Sequence, residues 1–384
     1  MNNLSTLFRN LNKRGTYFLK KMPIAVNCQK YSLMTTQKLK LEKENFQDVW
    51  PNLVQSITED KKIAQLPEVA TWIKKVLDYN TRGGKLFRGM TTVFAYESVE
   101  KPENMTPENL ELARILGWCV EILQGYFVVL DDIMDQSLTR RGQTCWYKRP
   151  EVGLESAVND TVFLHSTLLL AIKKHFRNHP SYSHILELFN EVLLYTAMGQ
   201  YLDLTTGNSN EIDYSKFRIE RVEAIAKFKT MYYTFQLPLS LGLYLANITN
   251  KDVHSQIEVI CSELGRYFQM QDDYLDCYCD EAKTGKTGTD IQEGKCTWFA
   301  VQALTRCNEA QRLVFKSCYG SANAQNVATI RSLYDELGLK ELYYEEQKKT
   351  AEVIEKQSEL LQKTTGVPAS LTTKLLDMLR GRNH

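Results

Sequence analysis

The first 41 residues contain neither aspartate nor glutamate, and the first acid is Glu42. Eight Lys or Arg fall in that stretch, and Leu4, Leu7, Phe8 and Leu11 share one helical face, with Arg9, Lys13 and Arg14 off it. A basic, hydroxylated, acid-free amphipathic segment over residues 1–41 has the make-up of a mitochondrial transit peptide. A secretory signal is disfavoured, because no continuous apolar segment follows the charges. A disordered basic tail is the plainer alternative, and Met22 and Met34 offer internal starts for a cytosolic form.

Other absences narrow the function further. No run of about 18 uninterrupted apolar residues occurs, so no membrane span is expected. With 47 Lys+Arg against 46 Asp+Glu there is no global basic field of the kind that draws nucleic acid. The nine cysteines show no CxxC spacing, and the Cys277/Cys279 pair has no second pair to complete a zinc site. Reduced, buried thiols are expected. His175, His179 and His184 cluster around Pro180, where a polar helix end explains them without a metal. Strand alternation and hairpin dipeptides are scarce.

What remains is helical almost throughout. Amphipathic runs cover residues 110–130, 155–176, 185–204, 221–245, 253–277, 297–304, 325–337 and 339–361. Breakers fall between them at residues 80–84, 149–153, 207–210, 247–250, 284–288 and 319–322. No low-complexity linker interrupts the chain, and residues 42–384 read as a single all-α domain.

Residues 130–141, LDDIMDQSLTRR, end one of these apolar runs with three carboxylates and two arginines. Asp131 and Asp135, four apart, share a helical face, with Asp132 on its flank. Crowded there without partners they would repel one another and carry a desolvation penalty. Asp272, Asp273 and Asp276 repeat the DDxxD spacing behind a second apolar helix. One acidic cluster is ordinarily a solvated helix end; two behind buried segments call for divalent cations. Magnesium binds through one or two carboxylates and completes its shell with water and substrate phosphates, which implies a phosphorylated substrate between the clusters. The cations agree: Lys85 and Arg88 in RGGKLFRG, Arg140 and Arg141, Lys227 and Lys229 in KFKT, and Lys286 and Lys295. Thr284 to Thr287 mimic the tail of a P-loop, but its opening glycine position is Asp280. An EF-hand is excluded by the ligand spacing.

The two DDxxD clusters, GGKLFRG, LQGYF, SLTRRG, GQYLDL, KFKT and YFQMQDDYLD with TGKTGTDIQEGKC together resemble the short-chain isoprenyl diphosphate synthases, specifically the eukaryotic farnesyl diphosphate synthase group. The resemblance is motif-level over residues 79–298 and looser to the C-terminus. It implies an isoprenoid-synthase-type helical bundle with a central cavity between the clusters. It also implies a homodimer that joins isopentenyl diphosphate head to tail to dimethylallyl or geranyl diphosphate.

By the same resemblance, Asp131, Asp135 and Asp272 would bind three magnesium ions, for which Mn2+ or Co2+ can substitute. Asp132, Gln200, Asp203, Asp273 and Asp276 would support the metal shell. Arg140, Gln200, Asp203, Lys229, Lys286 and Lys295 would serve the allylic diphosphate, and Gly84, Lys85, Arg88, Gln124 and Arg141 isopentenyl diphosphate. Thr230, Gln269 and the Lys229 carbonyl would face the allylic cation, with Arg140, Lys229 and Lys286 assisting ionisation. Tyr126 and Phe127, five and four residues before Asp131, would floor the pocket and stop growth at a C10 or C15 product; helical spacing alone reads them as core. Tyr126, Gly125 and Gln236 depart from the family's usual Phe, Ala and aromatic, which bears on chain length. A terpene synthase on the same fold is the alternative enzyme, disfavoured by the second diphosphate set. A noncatalytic regulatory subunit is disfavoured by the intact aspartates.

Overall fold

The structure, a computed structural model, describes residues 24–206, 212–279 and 288–381, with side chains from Lys38 onward. Most of the basic leader, the breaker at 207–210 and Lys286 therefore lie outside the described residues. Two units divide the chain, Met1–Asp48 and Val49–His384. Their boundary falls inside helix α1 (Ile24–Thr58), and the second unit holds the motifs.

Among its described residues the regular structure of that unit is helical apart from one hairpin of two two-residue strands. In order, its helices are α2 (Pro67–Thr81), α3 (Phe87–Val99), α4 (Pro107–Met134), α5 (Gly153–Phe176), α6 (Tyr182–Leu204) and α7 (Ile219–Ile225). A π-helical segment (Ala226–Gln236) leads into α8 (Leu237–Leu245) and α9 (Lys251–Tyr278). Then come α10 (Trp298–Arg306), α11 (Glu309–Cys318), α12 (Ala324–Glu336), α13 (Leu339–Thr365) and α14 (Ser370–Arg380). The amphipathic runs foresee α4, α5, α6, α9, α10, α12 and α13 to within a few residues. The run at 221–245 does not continue as one α-helix. It widens into π geometry over Ala226–Gln236, where i→i+5 bonding sets Lys229 and Thr234 one turn apart.

The central element is α4. Thr106 caps it by accepting the Asn109 N–H, with Pro107 at its first turn. By length and composition it could cross a membrane. Its most apolar stretch is 67% buried inside the fold, against α3 and α5 among others, so α4 is a core helix. Packing of α6 on the π-helical segment depends on Gly199, where a Cβ would fall 2.0 Å from the Lys229 nitrogen. The missing side chain lets Gln200 and Asp203 come alongside Lys229.

After α4 the chain turns through the antiparallel hairpin Thr139–Arg140 and Gln143–Thr144, with Arg140 opposite Gln143. Its two turn residues, Arg141 and Gly142, have φ of 55° and 72°, the left-handed pair that a tight hairpin demands. An arginine there is strained. The hairpin is fastened to α2 and α5. The Tyr79 hydroxyl donates to the Thr144 carbonyl at 2.6 Å. Asp160, 1% exposed, accepts the indole N–H groups of Trp72 at 2.7 Å and Trp146 at 2.8 Å. Asp160→Ala leaves both indoles without that acceptor and should lower the free energy of unfolding by about 2–3 kcal/mol. Urea denaturation reads this directly, and a loss below about 0.5 kcal/mol would show the hairpin is held by other contacts.

Candidate active site

One stripe of α4 carries Glu121, Gln124, Asp131 and Asp135, at helical spacings that keep them on one side. Asp131 meets Lys229 Nζ at 3.2 Å and Arg140 Nη2 at 3.4 Å, and accepts the Gln200 amide at 3.2 Å. Burial works to raise its carboxyl, but Lys229, Lys295 and Arg140 prevail and hold it at about 2. Asp132 is 2% exposed and turned into the protein, where Arg140 donates to it through Nε at 2.8 Å. Asp135 pairs with Lys295 at 3.1 Å; burial and then the Asp131 charge push its carboxyl up. Asp203 on α6 receives Lys229 at 2.5 Å and lies 4.0 Å from Lys295. Lys229 and Lys295 are both held protonated well above the ordinary lysine range, the surrounding carboxylates overcoming burial.

The second cluster ends α9. Asp272 is half-buried. Asp273 is buried and accepts the Trp298 backbone N–H at 2.8 Å and the Gln269 amide at 2.9 Å. Burial, with Asp272 and Asp276 as neighbours, pushes its carboxyl up to about 7 against those hydrogen bonds. Asp276 accepts the backbone N–H groups of Thr289 at 3.3 Å and Asp290 at 3.1 Å. The walls are joined through the π-helical segment: Lys229 reaches Asp131, while Thr230 donates to Gln269 Oε1 at 3.1 Å.

A second cationic group lies about three turns back along α4, some 15 Å by helical rise. Arg88 on α3 donates to the Tyr233 hydroxyl at 2.9 Å and to Thr234 Oγ1 at 2.8 and 3.1 Å. Its guanidinium stands 4.4 Å from the Tyr233 ring centroid. Arg141 donates to the Asn80 carbonyl at 3.4 Å. It lies over Gly84, where a Cβ would be 3.2 Å from the guanidinium carbon. Lys85 is exposed. The Gln124 amide lies between Arg88 and Glu121 and bridges them once its orientation is assigned from those two neighbours. The structure takes Lys227 elsewhere: it pairs with Glu258 at 3.3 Å.

Between the two groups runs an aromatic series. Phe127 packs on Tyr233 at 5.4 Å and edge-on to Tyr126 at 5.3 Å, and Tyr126 meets His165 of α5 at 5.8 Å. At Gly125 an alanine Cβ would meet the Asn80 carbonyl oxygen at 3.0 Å, so the glycine permits closer packing of α2 on α4.

Residues 70–337 match the family model for polyprenyl synthetase. The chain belongs to the polyprenyl synthetase family. It is 43% identical to a farnesyl pyrophosphate synthase of Gallus gallus over 84% of this chain and 89% of that one. It is 41% identical to the mitochondrial farnesyl pyrophosphate synthase 1 of Arabidopsis thaliana over 81% of this chain and 80% of the relative. Among solved structures, a T. brucei farnesyl diphosphate synthase complexed with risedronate superposes with a TM-score of 0.79 at 32% identity, covering 89% of this chain and 98% of that chain.

As a polyprenyl synthetase the chain offers a metal an all-carboxylate donor set. Among the described residues no three His, Cys, Asp or Glu side chains converge into a self-sufficient cage. Asp135 Oδ1 is buried and takes no hydrogen bond. Hard oxygen donors contributed one or two at a time fit magnesium, which leaves positions for phosphate oxygens. The described cysteines are all unbridged.

Sequence pattern does not single out Tyr233, Thr234, His165 or Glu121. The first two carry no signal to an α-helical reading, since π winding sets their direction. Glu121 does carry one, as the single acidic or basic residue between 115 and 130. Removing one carboxylate while keeping its shape, in Asp131→Asn or Asp272→Asn, should lower kcat by about two orders of magnitude or more. Turnover near that of the parent enzyme would rule out the metal assignment.

Proposed function

We propose that the protein condenses isopentenyl diphosphate head to tail with dimethylallyl or geranyl diphosphate, giving farnesyl or geranyl diphosphate. One observation supports this above the rest: two separate sets of diphosphate donors are arrayed along one helix. Arg140, Lys229 and Lys295 surround Asp131 and Asp135, whereas Arg88, Gln124 and Arg141 gather near Gly84. An enzyme that only ionises a single prenyl diphosphate needs one such set.

In this reading Arg140, Lys229, Lys286 and Lys295 bind the allylic diphosphate and stabilise negative charge as its C–O bond breaks. Asp131, Asp135 and Asp272 would hold magnesium, which supplies further charge neutralisation when bound. Asp132, Asp273 and Asp276 keep the two helix ends in place. Gln200 and Asp203 orient Asp131 and Lys229. The Thr230 hydroxyl and the Gln269 amide present fixed dipoles to the allylic cation without offering a nucleophile. The isopentenyl double bond forms the new C–C bond, and the proton lost from the adjacent carbon goes to the departed diphosphate. No protein base is needed.

A homodimer and mitochondrial import complete the proposal. Leu154, Val158 and Val162 of α5, 48–58% exposed, and Leu194, Met198 and Tyr201 of the neighbouring α6, 45–66% exposed, leave apolar surface for a second copy. The acid-free leader and the mitochondrial relative support the compartment.

The purified chain given magnesium, dimethylallyl diphosphate and isopentenyl diphosphate should release pyrophosphate and form a prenyl diphosphate only when both substrates are present. Hydrocarbon formed from one prenyl diphosphate alone would favour a terpene synthase instead. Tyr126→Ala should shift the products to longer chains by opening the aromatic floor, and an unchanged product length on chromatography would refute that role.

A further inference from the structure

The structure assigns to Glu121 a positioning role in the second diphosphate site, and this rests on the two-site reading above. Glu121 is 1% exposed in the interior of α4, where an ionisable side chain needs partners to be tolerated. It has them on both oxygens. Oε1 accepts the backbone N–H of Gly89, in the first turn of α3, at 2.8 Å. With the Gln124 amide assigned the orientation its neighbours require, its N–H lies 2.8 Å from the other Glu121 oxygen and its oxygen 2.9 Å from Arg88 Nη1. Burial pushes its carboxyl up, opposed by the Gly89 N–H and by the Arg88 and Arg141 charges.

The order of these contacts gives Glu121 its role. A glutamine amide has a donor end and an acceptor end that exchange on a half-turn, and only a neighbour that accepts fixes which is which. Glu121 presents an acceptor, so the Gln124 oxygen must face Arg88. With Nη1 taken by Gln124 and the Nε and Nη2 edge taken by Thr234 and Tyr233, the guanidinium plane is fixed before any substrate arrives. Glu121 also ties the RGGKLFRG segment to α4 through Gly89. Being buried, it does not meet the diphosphate itself; it acts through Arg88 and Gln124. It therefore affects the binding of isopentenyl diphosphate and leaves the allylic substrate alone.

Glu121→Gln is the test. The substituted amide can still accept from Gly89, but it then turns N–H groups toward Gln124. If Gln124 reverses to accept them, it points N–H groups at Arg88, donor against donor. The KM for isopentenyl diphosphate should rise about tenfold or more, as expected for a lost hydrogen bond to a charged group. The KM for dimethylallyl diphosphate should stay within about twofold, and the thermal midpoint measured alongside should show the variant folded. Arg88→Ala should raise the same KM, and the double variant should fall short of the product of the two effects, since both act through one chain of contacts. An unchanged isopentenyl KM in Glu121→Gln, with Arg88→Ala raising it, would overturn the role of Glu121 and leave the site standing. An unchanged isopentenyl KM in Arg88→Ala would overturn the site reading itself and the inference with it. If Glu121→Gln fails to fold, Glu121→Asp replaces it: one methylene shorter, it cannot reach both Gly89 and Gln124, and the same one-sided KM rise is expected.

Discussion

Carboxylates gathered at the end of a buried apolar helix have to be matched by positive charge, and much of this structure is arranged to supply it. Asp131 and Asp135 stand where α4 leaves the core, and desolvation there favours their neutral forms. Lys229, Lys295 and Arg140 answer that cost from three different elements, which the fold must bring to one place. Gly199 lets α6 close on the π-helical segment, and the Asp160 contacts to two tryptophans hold the hairpin that carries Arg140. In the proposed function the cations that stabilise the carboxylates are also the ones that bind a diphosphate, so the balance of charge and the chemistry would be one arrangement.

Arg140 and Arg141 show how adjacent residues come to face different partners. Arg140 lies in the hairpin strand and its side chain goes to Asp131 and Asp132. Arg141 occupies the turn at φ 55°, which redirects its side chain toward Asn80 and Gly84. The strain of a left-handed arginine is accepted at the one point where the chain passes between the two cation sets. Along α4 the separation is repeated by Glu121 and Gln124 at one end and Asp131 and Asp135 at the other.

The all-α architecture and most helices were legible because their apolar residues recur at helical spacing between clear breakers. Both aspartate clusters were legible because charge at the end of a buried helix is conspicuous. Other features could not be read this way. The π winding over Ala226–Gln236 leaves no mark in an apolar pattern, so the contacts of Tyr233 and Thr234 with Arg88 were hidden. Lys227 and Lys229 looked equivalent in KFKT, and only the fold sends one to Glu258 and the other to Asp131. The division of each cluster into buried, protein-bound aspartates and half-buried ones depends on tertiary partners such as the Trp298 N–H.

The central claim is that one helix and one hairpin hold two distinct diphosphate sites. Steady-state kinetics of Arg140→Ala and Arg141→Ala, with each substrate varied in turn, test it most directly. The account predicts that Arg141→Ala raises the KM for isopentenyl diphosphate alone, while Arg140→Ala weakens the allylic substrate and lowers kcat. Two variants that disturb the same substrate to the same degree would contradict it.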